Sequence, residues 1–342
     1  MQHINWPGEV QVTPMGRSKV IDRLSELCYP GQADAVLWSP SQRGPIRARH
    51  HVVTVHDCIN VEYVYADDWR RPALQWTSQQ LLGNAETVVT ISHATRAAVL
   101  RNYDVDPAKI VVIPSPSHVE LPYEARQLDD GNQPIRPFVL MVTNALAHKN
   151  TELACRALIA ADIHKRGIAL HVVGALAPAA QGLCEDAKVD LTVSRGLSDQ
   201  DLGKLYQQSL FLLSPSLEEG HNLPIAEAIS LGANVLCSDI PVHREFYEGM
   251  VEFFPPTDEG ALVDALDRAF ARKGDWTPHR PPPKRSFADV AAAYRELFSS
   301  LYEKGGLVRP ELLSQITELP QDMSKNENAS TTPRAQAGRT SK

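Results

Sequence analysis

The sequence predicts an α/β protein built on parallel sheets, and three observations favour this fold class. Short apolar runs recur along the chain with helical stretches between them, which is typical of parallel α/β folds. Residues 110–113 read Ile-Val-Val-Ile, a continuously apolar run expected of a strand that is covered on both faces. The length of 342 residues is enough for about two domains of roughly 100–200 residues each.

The predicted strands form two groups with a polar segment between them. The first group comprises residues 35–39, 51–56, 87–92 and 110–114, and the second comprises residues 138–143, 169–174, 191–193, 210–214, 234–237 and 251–254. Residues 123–137 separate the groups and contain the turn-forming run Asp129-Asp130-Gly131-Asn132. Polar, turn-rich segments of this kind mark domain boundaries, so we expect the boundary there.

Helices are predicted between and after these strands, over residues 72–83, 93–103, 150–165, 199–208, 224–231 and 286–302. In the helix at 199–208, Leu202, Leu205 and Tyr206 recur at helical spacing. Ser198 stands three residues before Asp201, which resembles a capping box at the start of that helix.

The domain prediction follows from these groups. Residues 1–137 are predicted to form an N-terminal α/β domain and residues 138–285 a second one, followed by the helix at 286–302. Residues 278–284 carry consecutive prolines and are predicted as an extended connector. Residues 321–342 are rich in Ser, Thr, Asn and Gln and lack a core-forming pattern, so they are predicted to be disordered.

Composition argues against several functional classes. The chain carries 34 basic and 41 acidic side chains, a net charge of −7, which gives no overall electrostatic reason to hold nucleic acid. Its five cysteines are scattered without paired spacing, as expected of reduced thiols in the cytoplasm. The first residues lack a signal-peptide pattern, and no window approaches the ~18 apolar residues of a membrane span. We therefore expect a cytoplasmic protein that can still touch a membrane surface.

The most informative motif is residues 214–228, Ser-Pro-Ser-Leu-Glu-Glu-Gly-His-Asn-Leu-Pro-Ile-Ala-Glu-Ala. It runs from a strand through a loop to a helix that starts near Pro224, a residue favoured in the first helical turn. Free backbone amides and the positive end of the helix dipole at such a start favour a phosphate. Glu219 and Glu227 flank this start, and carboxylates accept strong hydrogen bonds from sugar hydroxyls. Two solvated glutamates beside a turn are the alternative interpretation.

This motif resembles the donor-site signature of retaining glycosyltransferases of family 4, which have the GT-B fold and commonly read P-S-x-x-E-G-F-G-L-P-x-x-E-A. His221-Asn222 replaces the usual Phe-Gly. The resemblance covers about residues 35–302, and its segments in the first half resemble in particular bacterial mannosyltransferases that build O-antigen or exopolysaccharide. Its other segments are residues 37–40, 53–57, 89–92 and 109–114 in the first half, and residues 139–150, 197–206 and 232–245 in the second.

The resemblance implies two Rossmann-like domains facing a cleft, the GT-B arrangement. Residues 1–137 would form the acceptor-side domain and residues 138–285 the nucleotide-sugar-binding domain, with the helix at 286–302 packing back toward the first. The resemblance also implies that the first domain is incomplete. Family members open with a strand, a glycine-rich loop and a long helix, whereas residues 1–30 offer only a short run at 10–13 and a helix near 19–28. The implied activity is the transfer of a hexose, with retention of anomeric configuration, from a nucleotide diphosphate sugar to a glycan or lipid-linked acceptor. Mannose is the first expectation for this hexose. This reaction would serve cell-surface polysaccharide synthesis, such as lipopolysaccharide biosynthesis.

Three residues would serve the transfer itself if the resemblance holds. His56 would line the sugar pocket at the end of a strand, Lys149 would neutralise the leaving diphosphate, and Glu219 would bind sugar hydroxyls. The alternatives are a core histidine bonded to backbone at position 56 and a surface lysine at position 149.

A further set of residues would bind the donor. Glu227 would contact the ribose, and the amides of residues 220–223 would hold the diphosphate. Asn144 stands where the family often has an arginine, which removes one positive charge from the expected clamp. The full donor-binding set is Asn144, Gly220, His221, Asn222, Leu223 and Glu227.

No metal or cofactor is expected, and the nucleotide sugar is a substrate. The D-x-D triplets at 104–106 and 199–201 lie at a turn and at a helix start, where aspartates serve structural roles. A silent nucleotide-sugar-binding partner subunit and a sugar-nucleotide 2-epimerase remain alternative functions. The expected partners are the nucleotide-sugar donor and the acceptor, and they do not include nucleic acid. A lipid-linked acceptor would allow peripheral contact with the inner face of the inner membrane. The oligomeric state stays open.

Overall fold

The computed structural model describes residues 36–64, 68–116, 136–272 and 285–305. Within these residues the strands form two wholly parallel sheets. The four-stranded sheet has the order β1-β2-β3-β4 and the six-stranded sheet the order β10-β9-β8-β5-β6-β7. The strands are β1 Leu37–Ser39, β2 His51–Val55, β3 Thr87–Thr90, β4 Ile110–Val112, β5 Phe138–Thr143, β6 Ala169–Gly174, β7 Leu191–Ser194, β8 Phe211–Ser214, β9 Val235–Ser238 and β10 Glu252–Phe254.

Helices connect most of the successive strands, the usual form of a parallel crossover, whereas β1 and β2 are joined by a turn-rich segment without a helix. The α-helices of the described residues are α1 Arg71–Asn84, α2 His93–Asn102, α3 Thr151–Ala160, α4 Pro178–Asp186, α5 Asp199–Gln208, α6 Leu223–Ser230, α7 Pro241–Tyr247, α8 Glu259–Ala271 and α9 Phe287–Gly305. A short π-helix, Asn60–Val64, follows β2, and a 3-10 turn, Ala147–Lys149, precedes α3.

All ten predicted strands are present, and so are the six predicted helices, with ends that mostly differ by one or two residues. The helix predicted over 150–165 is shorter, because Asp162 takes a left-handed φ of 56° that an α-helix cannot continue through. Helices α4, α7 and α8 were not predicted. The predicted segments at 10–13, 19–28, 278–284 and 321–342, and nearly all of the boundary at 123–137, lie outside the described residues.

The four-stranded sheet is covered on both faces. Val53, Val55 and Val88 pack against buried residues of α1 and α2 on one face. Val52 and Val89 pack on the other face with Leu301 and further apolar residues of α9. The α9 helix is tied to this sheet by a hydrogen bond between Tyr294 Oη and Thr54 Oγ1 (2.9 Å). The end of the described chain therefore completes the core of the first sheet.

The six-stranded sheet is likewise covered on both faces. Helices α3, α4 and α8 contribute to the core on one face, and α6 and α7 to the core on the other. Because parallel strands end at the same edge, the loops after β5, β8 and β9 lie along one edge of this sheet.

Two further observations concern only the described residues. No helix there is long and apolar enough to cross a bilayer. Cys58, Cys155, Cys184 and Cys237 are all buried and unbridged.

Candidate donor site

The centre of the site is an ion pair between Lys149 and Glu219. Lys149 ends the 3-10 turn after β5, and Glu219 lies in the loop after β8, the neighbouring strand. Lys149 Nζ donates to Glu219 Oε1 over 2.5 Å, and the two side chains are only 15% and 9% exposed. Two of the three residues expected to serve transfer thus meet at one sheet edge, and their burial makes the pair a specific, desolvated contact rather than a surface one.

Gly220 brings the backbone of the third residue, His56, against this loop. A Cβ atom at position 220 would lie 2.1 Å from the carbonyl oxygen of His56, so only glycine fits. The His56 side chain is exposed, and its Nε2 donates to the Pro40 carbonyl (2.8 Å). The alternative interpretation was a core histidine bonded to backbone. The His56 side chain does bond to backbone, but it is exposed and lies outside the hydrophobic core.

The backbone of residues 221–222 is fixed from beneath by Tyr247, a buried residue of α7. Its hydroxyl oxygen lies 3.1 Å from the carbonyl oxygen of His221 and 3.0 Å from that of Asn222, so the two carbonyls share its one hydrogen. Within a planar trans peptide the N–H points opposite to the C=O. The amides of Asn222 and Leu223 therefore point away from Tyr247, and they belong to the start of α6, where amides lack intrahelical partners. This arrangement suits an anion.

Asn222 takes the left-handed conformation, with φ 69° and ψ 70°. The usual family residue at this position, glycine, adopts such angles freely, and asparagine tolerates them better than other residues. Its side-chain Nδ2 lies 2.8 Å from Ser214 Oγ and 2.9 Å from His243 Nε2. The geometry thus accounts for the departure from Phe-Gly at the second position.

His221 fills the place of the usual phenylalanine. Its ring packs edge-on to Phe246, with centroids 4.3 Å apart, and neither ring nitrogen has a hydrogen-bond partner among the described residues. Burial lowers the pKa of His221 to about 4, so the ring is neutral at physiological pH. Its side chain packs as an aromatic residue would, and only its backbone lines the loop.

Glu227 and Leu223 lie on α6. Tyr206 Oη donates to Glu227 Oε2 (2.8 Å), and burial raises the pKa of Glu227. The Leu223 side chain is 51% exposed. The half-buried carboxylate of Glu227 is thus already oriented by the Tyr206 hydroxyl. The side chain of Leu223 is exposed, and its backbone amide is the group available to a ligand.

The side chain of Asn144 is bonded within its own loop and not to the Lys149–Glu219 pair. Asn144 follows β5, its side chain is exposed, and its Oδ1 accepts from the amide of Leu146 (3.0 Å). The residue therefore shapes its own loop as an Asx turn.

A charged cluster beside the site was not predicted. Arg101 donates to Glu62 (2.6 Å) and lies 3.7 Å from Glu218. Burial, then the charge of Glu62, raises the pKa of Glu218 to about 7, and burial raises the pKa of Asp57. Asp57 and Glu218 adjoin residues that the motifs singled out, but nothing in the sequence indicates that Glu62, five residues after Asp57, and the distant Arg101 would join them.

The D-x-D triplets lie at structural positions. Asp106 accepts from the amide of Ala108 (2.9 Å), and Ser198 Oγ accepts from the amide of Asp201 (3.1 Å), which confirms the predicted helix cap. In the described part of the chain, no group of three or more histidine, cysteine, aspartate or glutamate side chains could hold a metal ion. Transfer without a metal remains a prediction.

Two family models match the chain. Residues 11–120 match Glycosyltransferase Family 4, and residues 136–272 match Glycosyl transferases group 1. The two matches are consecutive and together cover well over half of the sequence, and each covers one of the two sheets.

Two curated relatives are mannosyltransferases. The chain is 23% identical over 224 residues to O-antigen chain mannosyltransferase RfbU of Salmonella typhimurium, covering 64% of this chain and 60% of that protein. It is 26% identical over 206 residues to MMP alpha-(1->4)-mannosyltransferase of Mycolicibacterium hassiacum, covering 55% and 47%. The chain thus spans about half to three fifths of the length of the curated relatives it matches.

The fold has solved counterparts. Sucrose-phosphate synthase from Thermosynechococcus elongatus superimposes with a TM-score of 0.54 at 22% identity, covering 75% of this chain and 65% of that one. At this identity the likeness concerns the fold, two parallel sheets with the predicted α/β architecture. Together with the two family matches, it leads to one conclusion: this chain belongs to the family 4 type of glycosyltransferases with the GT-B fold.

Proposed function

We propose that this protein is a retaining glycosyltransferase that moves a hexose from a nucleotide diphosphate sugar to a glycan or lipid-linked acceptor. The observation that carries the proposal is the Lys149–Glu219 pair, set beside the loop of residues 220–223 at one edge of the six-stranded sheet. A buried cation next to outward-pointing amides is suited to a diphosphate, which gains negative charge as the glycosidic bond breaks.

Each residue has a role in this proposal. Lys149 and the amides of residues 220–223 bind the diphosphate, Glu219 accepts hydrogen bonds from sugar hydroxyls, and Glu227 binds the ribose. His56, exposed at the carboxyl end of β2, lines the sugar pocket. No protein nucleophile is assigned. The donor phosphate accepts the proton of the acceptor hydroxyl, and the protein contributes orientation and charge stabilisation.

Mannose is the sugar we propose first, and cell-surface polysaccharide synthesis is the process. Both curated relatives bear mannosyltransferase names, and one of them is named for the O-antigen chain. We also propose a cytoplasmic location, with peripheral contact at the inner face of the membrane where a lipid-linked acceptor would be presented.

The experiment is to incubate the purified protein with radiolabelled GDP-mannose or UDP-glucose and a membrane extract that contains lipid-linked glycans. Transfer of label to the lipid fraction with one donor is the expected result. Donor binding without transfer or hydrolysis would instead support a silent binding subunit. A changed sugar on the nucleotide in the absence of acceptor would indicate an epimerase.

A variant of Glu227 tests the donor site itself. Glu227→Ala should weaken binding of the accepted donor, because a half-buried carboxylate oriented by Tyr206 would no longer meet the ribose. Glu185→Ala, at an exposed position of α4, is the matched control and should bind the donor as the wild type does. Equal donor binding by the Glu227 variant and the control would contradict the assignment.

A further inference from the structure

We propose that His243 is a positioning residue for the donor loop, acting through the side chain of Asn222. This inference rests on the proposed function, because the loop it positions is the one assigned to the diphosphate. His243 lies on α7 beneath the loop, is fully buried, and contacts the side chain of Asn222 rather than the loop backbone.

The hydrogen-bond pattern fixes the ring and the amide in one arrangement. His243 Nδ1 lies 2.8 Å from the carbonyl oxygen of Ser238, which can only accept, so Nδ1 carries the proton. Nε2 is then an acceptor and receives the Asn222 Nδ2 hydrogen bond at 2.9 Å. The same Asn222 nitrogen lies 2.8 Å from Ser214 Oγ, so its two hydrogens have two acceptors. The two ring nitrogens of His243 and the side-chain nitrogen of Asn222 therefore all have partners.

These hydrogen bonds matter because the backbone of Asn222 has the left-handed conformation. Such a backbone is unfavourable for a residue with a Cβ and persists only where the surroundings enforce it. Here the enforcement comes from three sides: His243 and Ser214 hold the side chain, and Tyr247 holds the carbonyl. If the side chain were released, the peptide planes at 221–223 could rotate, and the amides would no longer converge on an anion.

A glycine at position 222 would need no such support. It adopts positive φ without strain, so a loop with glycine there is held open by its own backbone preference. His243 therefore matters to donor binding when residue 222 is asparagine and loses that importance when residue 222 is glycine.

The test is a double-mutant cycle on donor affinity, measured by calorimetry with GDP-mannose and UDP-glucose. His243→Leu should weaken donor binding about five- to tenfold, the value of one lost hydrogen bond. His243→Gln, whose carbonyl can accept from Asn222, should stay within about threefold of the wild type. Asn222→Gly gives the reference affinity of a loop with glycine, and adding His243→Leu to Asn222→Gly should change that affinity less than about twofold.

The control is His171→Leu on β6. His171 also forms a side-chain hydrogen bond, with Ser194 Oγ at 2.9 Å, in the same sheet but away from the donor loop, so its loss should leave donor affinity unchanged. An effect of His243→Leu that is equally large in the Asn222→Gly background would overturn the proposal. If His243→Leu does not fold, Asn222→Ala compared with Asn222→Gly decides: the proposal requires the alanine variant to bind the donor more weakly than the glycine variant.

Hydrogen exchange of the ligand-free protein gives a second readout that needs no donor. Amides of residues 220–223 should exchange faster in His243→Leu than in the wild type or His243→Gln. Failure of the wild type to bind either nucleotide sugar would count against the proposed function, whereas unchanged exchange in His243→Leu would count against the positioning role.

Discussion

Lys149 Nζ and Glu219 Oε1 lie 2.5 Å apart, and this contact joins the loops that follow two neighbouring strands, β5 and β8. In the ligand-free protein each charge neutralises the other. The pair therefore holds both side chains near their working positions before the donor arrives. An incoming diphosphate would then compete with Glu219 for the ammonium group.

Loss of Lys149 should separate stability from activity. Lys149→Met leaves a buried carboxylate unpaired, and the free energy of unfolding should fall by about 3 kcal/mol. Adding Glu219→Gln removes the stranded charge and should recover most of that loss, as measured by urea denaturation. Transfer activity should remain at least about 100-fold below wild type in both variants. Recovery of activity together with stability would rule out the charge-stabilising role.

Asn144→Arg should strengthen donor binding. The side chain is exposed and bonded only within its own loop, so an arginine can replace it at little cost to the fold. A second cation near the diphosphate should lower the donor KM about three- to tenfold at low salt, and less so as the ionic strength rises. Asn144→Gln is the uncharged control, and an equal gain with glutamine would refute the electrostatic explanation.

Glu218 should make stability fall as the pH rises. The pKa of Glu218 is raised by burial, then by Glu62, from the ordinary 4.5 to about 7. Between these values the folded protein holds a proton that the unfolded chain releases. The stabilising contribution is therefore complete below pH 4.5 and is lost as the pH rises to 7. Because the side chain is 23% exposed, we expect an effect of about 1–2 kcal/mol.

The measurement for Glu218 is the free energy of unfolding at pH 5 and pH 8, with and without the carboxyl. Glu218→Gln should be more stable than the wild type at pH 8 and equal to it near pH 5. Glu185→Gln, on the exposed face of α4, should follow the wild type at both values. A Glu218 variant that tracks the wild type at both pH values would show that this carboxyl does not titrate in the window.

Gly220→Ala should damage both folding and donor binding. The new methyl group would lie 2.1 Å from the His56 carbonyl oxygen, and both partners are backbone, so one loop must move. We expect a loss of about 1–3 kcal/mol in unfolding free energy. Gly182→Ala in α4 meets no atom within 4 Å and should stabilise the protein by about 0.5–1 kcal/mol. Thermal denaturation of the two variants checks both signs.

Glu245 should stabilise the contact between α7 and α2. Its carboxylate accepts from the amides of His93 (2.8 Å) and Ala94 (3.0 Å), the first residues of α2. Glu245→Ala should cost about 1 kcal/mol, the usual value of an anionic cap at a helix start. Glu248, directly after α7, forms an exposed ion pair with Arg244 of that helix. Glu248→Ala removes only this ion pair and should cost less than about 0.5 kcal/mol. Equal costs in urea denaturation would show that the cap adds nothing.

The elements and the site loop could be predicted from local pattern. Apolar runs marked all ten strands, and the order of strand, loop and helix around Glu219 correctly indicated that a helix starts near Pro224, with Asn222 at its cap and Leu223 in its first turn. Parallel pairing then explains why Lys149 reaches Glu219 although seventy residues separate them.

The contacts that support the site could not be predicted, because they depend on tertiary packing. Tyr247 and His243 lie on α7, a seven-residue helix too short to leave a clear periodic pattern. The cap that Glu245 provides for α2 spans 152 residues. Neither spacing nor composition indicates which distant side chain will meet a loop, so these residues were found only in the structure.

The side chain of Asn222 also bears on how such proteins are recognised. A search pattern that demands glycine at this position would reject the chain, although its loop reaches the same left-handed backbone by another route. A pattern that accepts either glycine, or asparagine with a histidine twenty-one residues later, describes the physical requirement instead of one solution to it. Grafting this Asn–His pair onto a relative with glycine should then be tolerated, whereas grafting the asparagine alone should not.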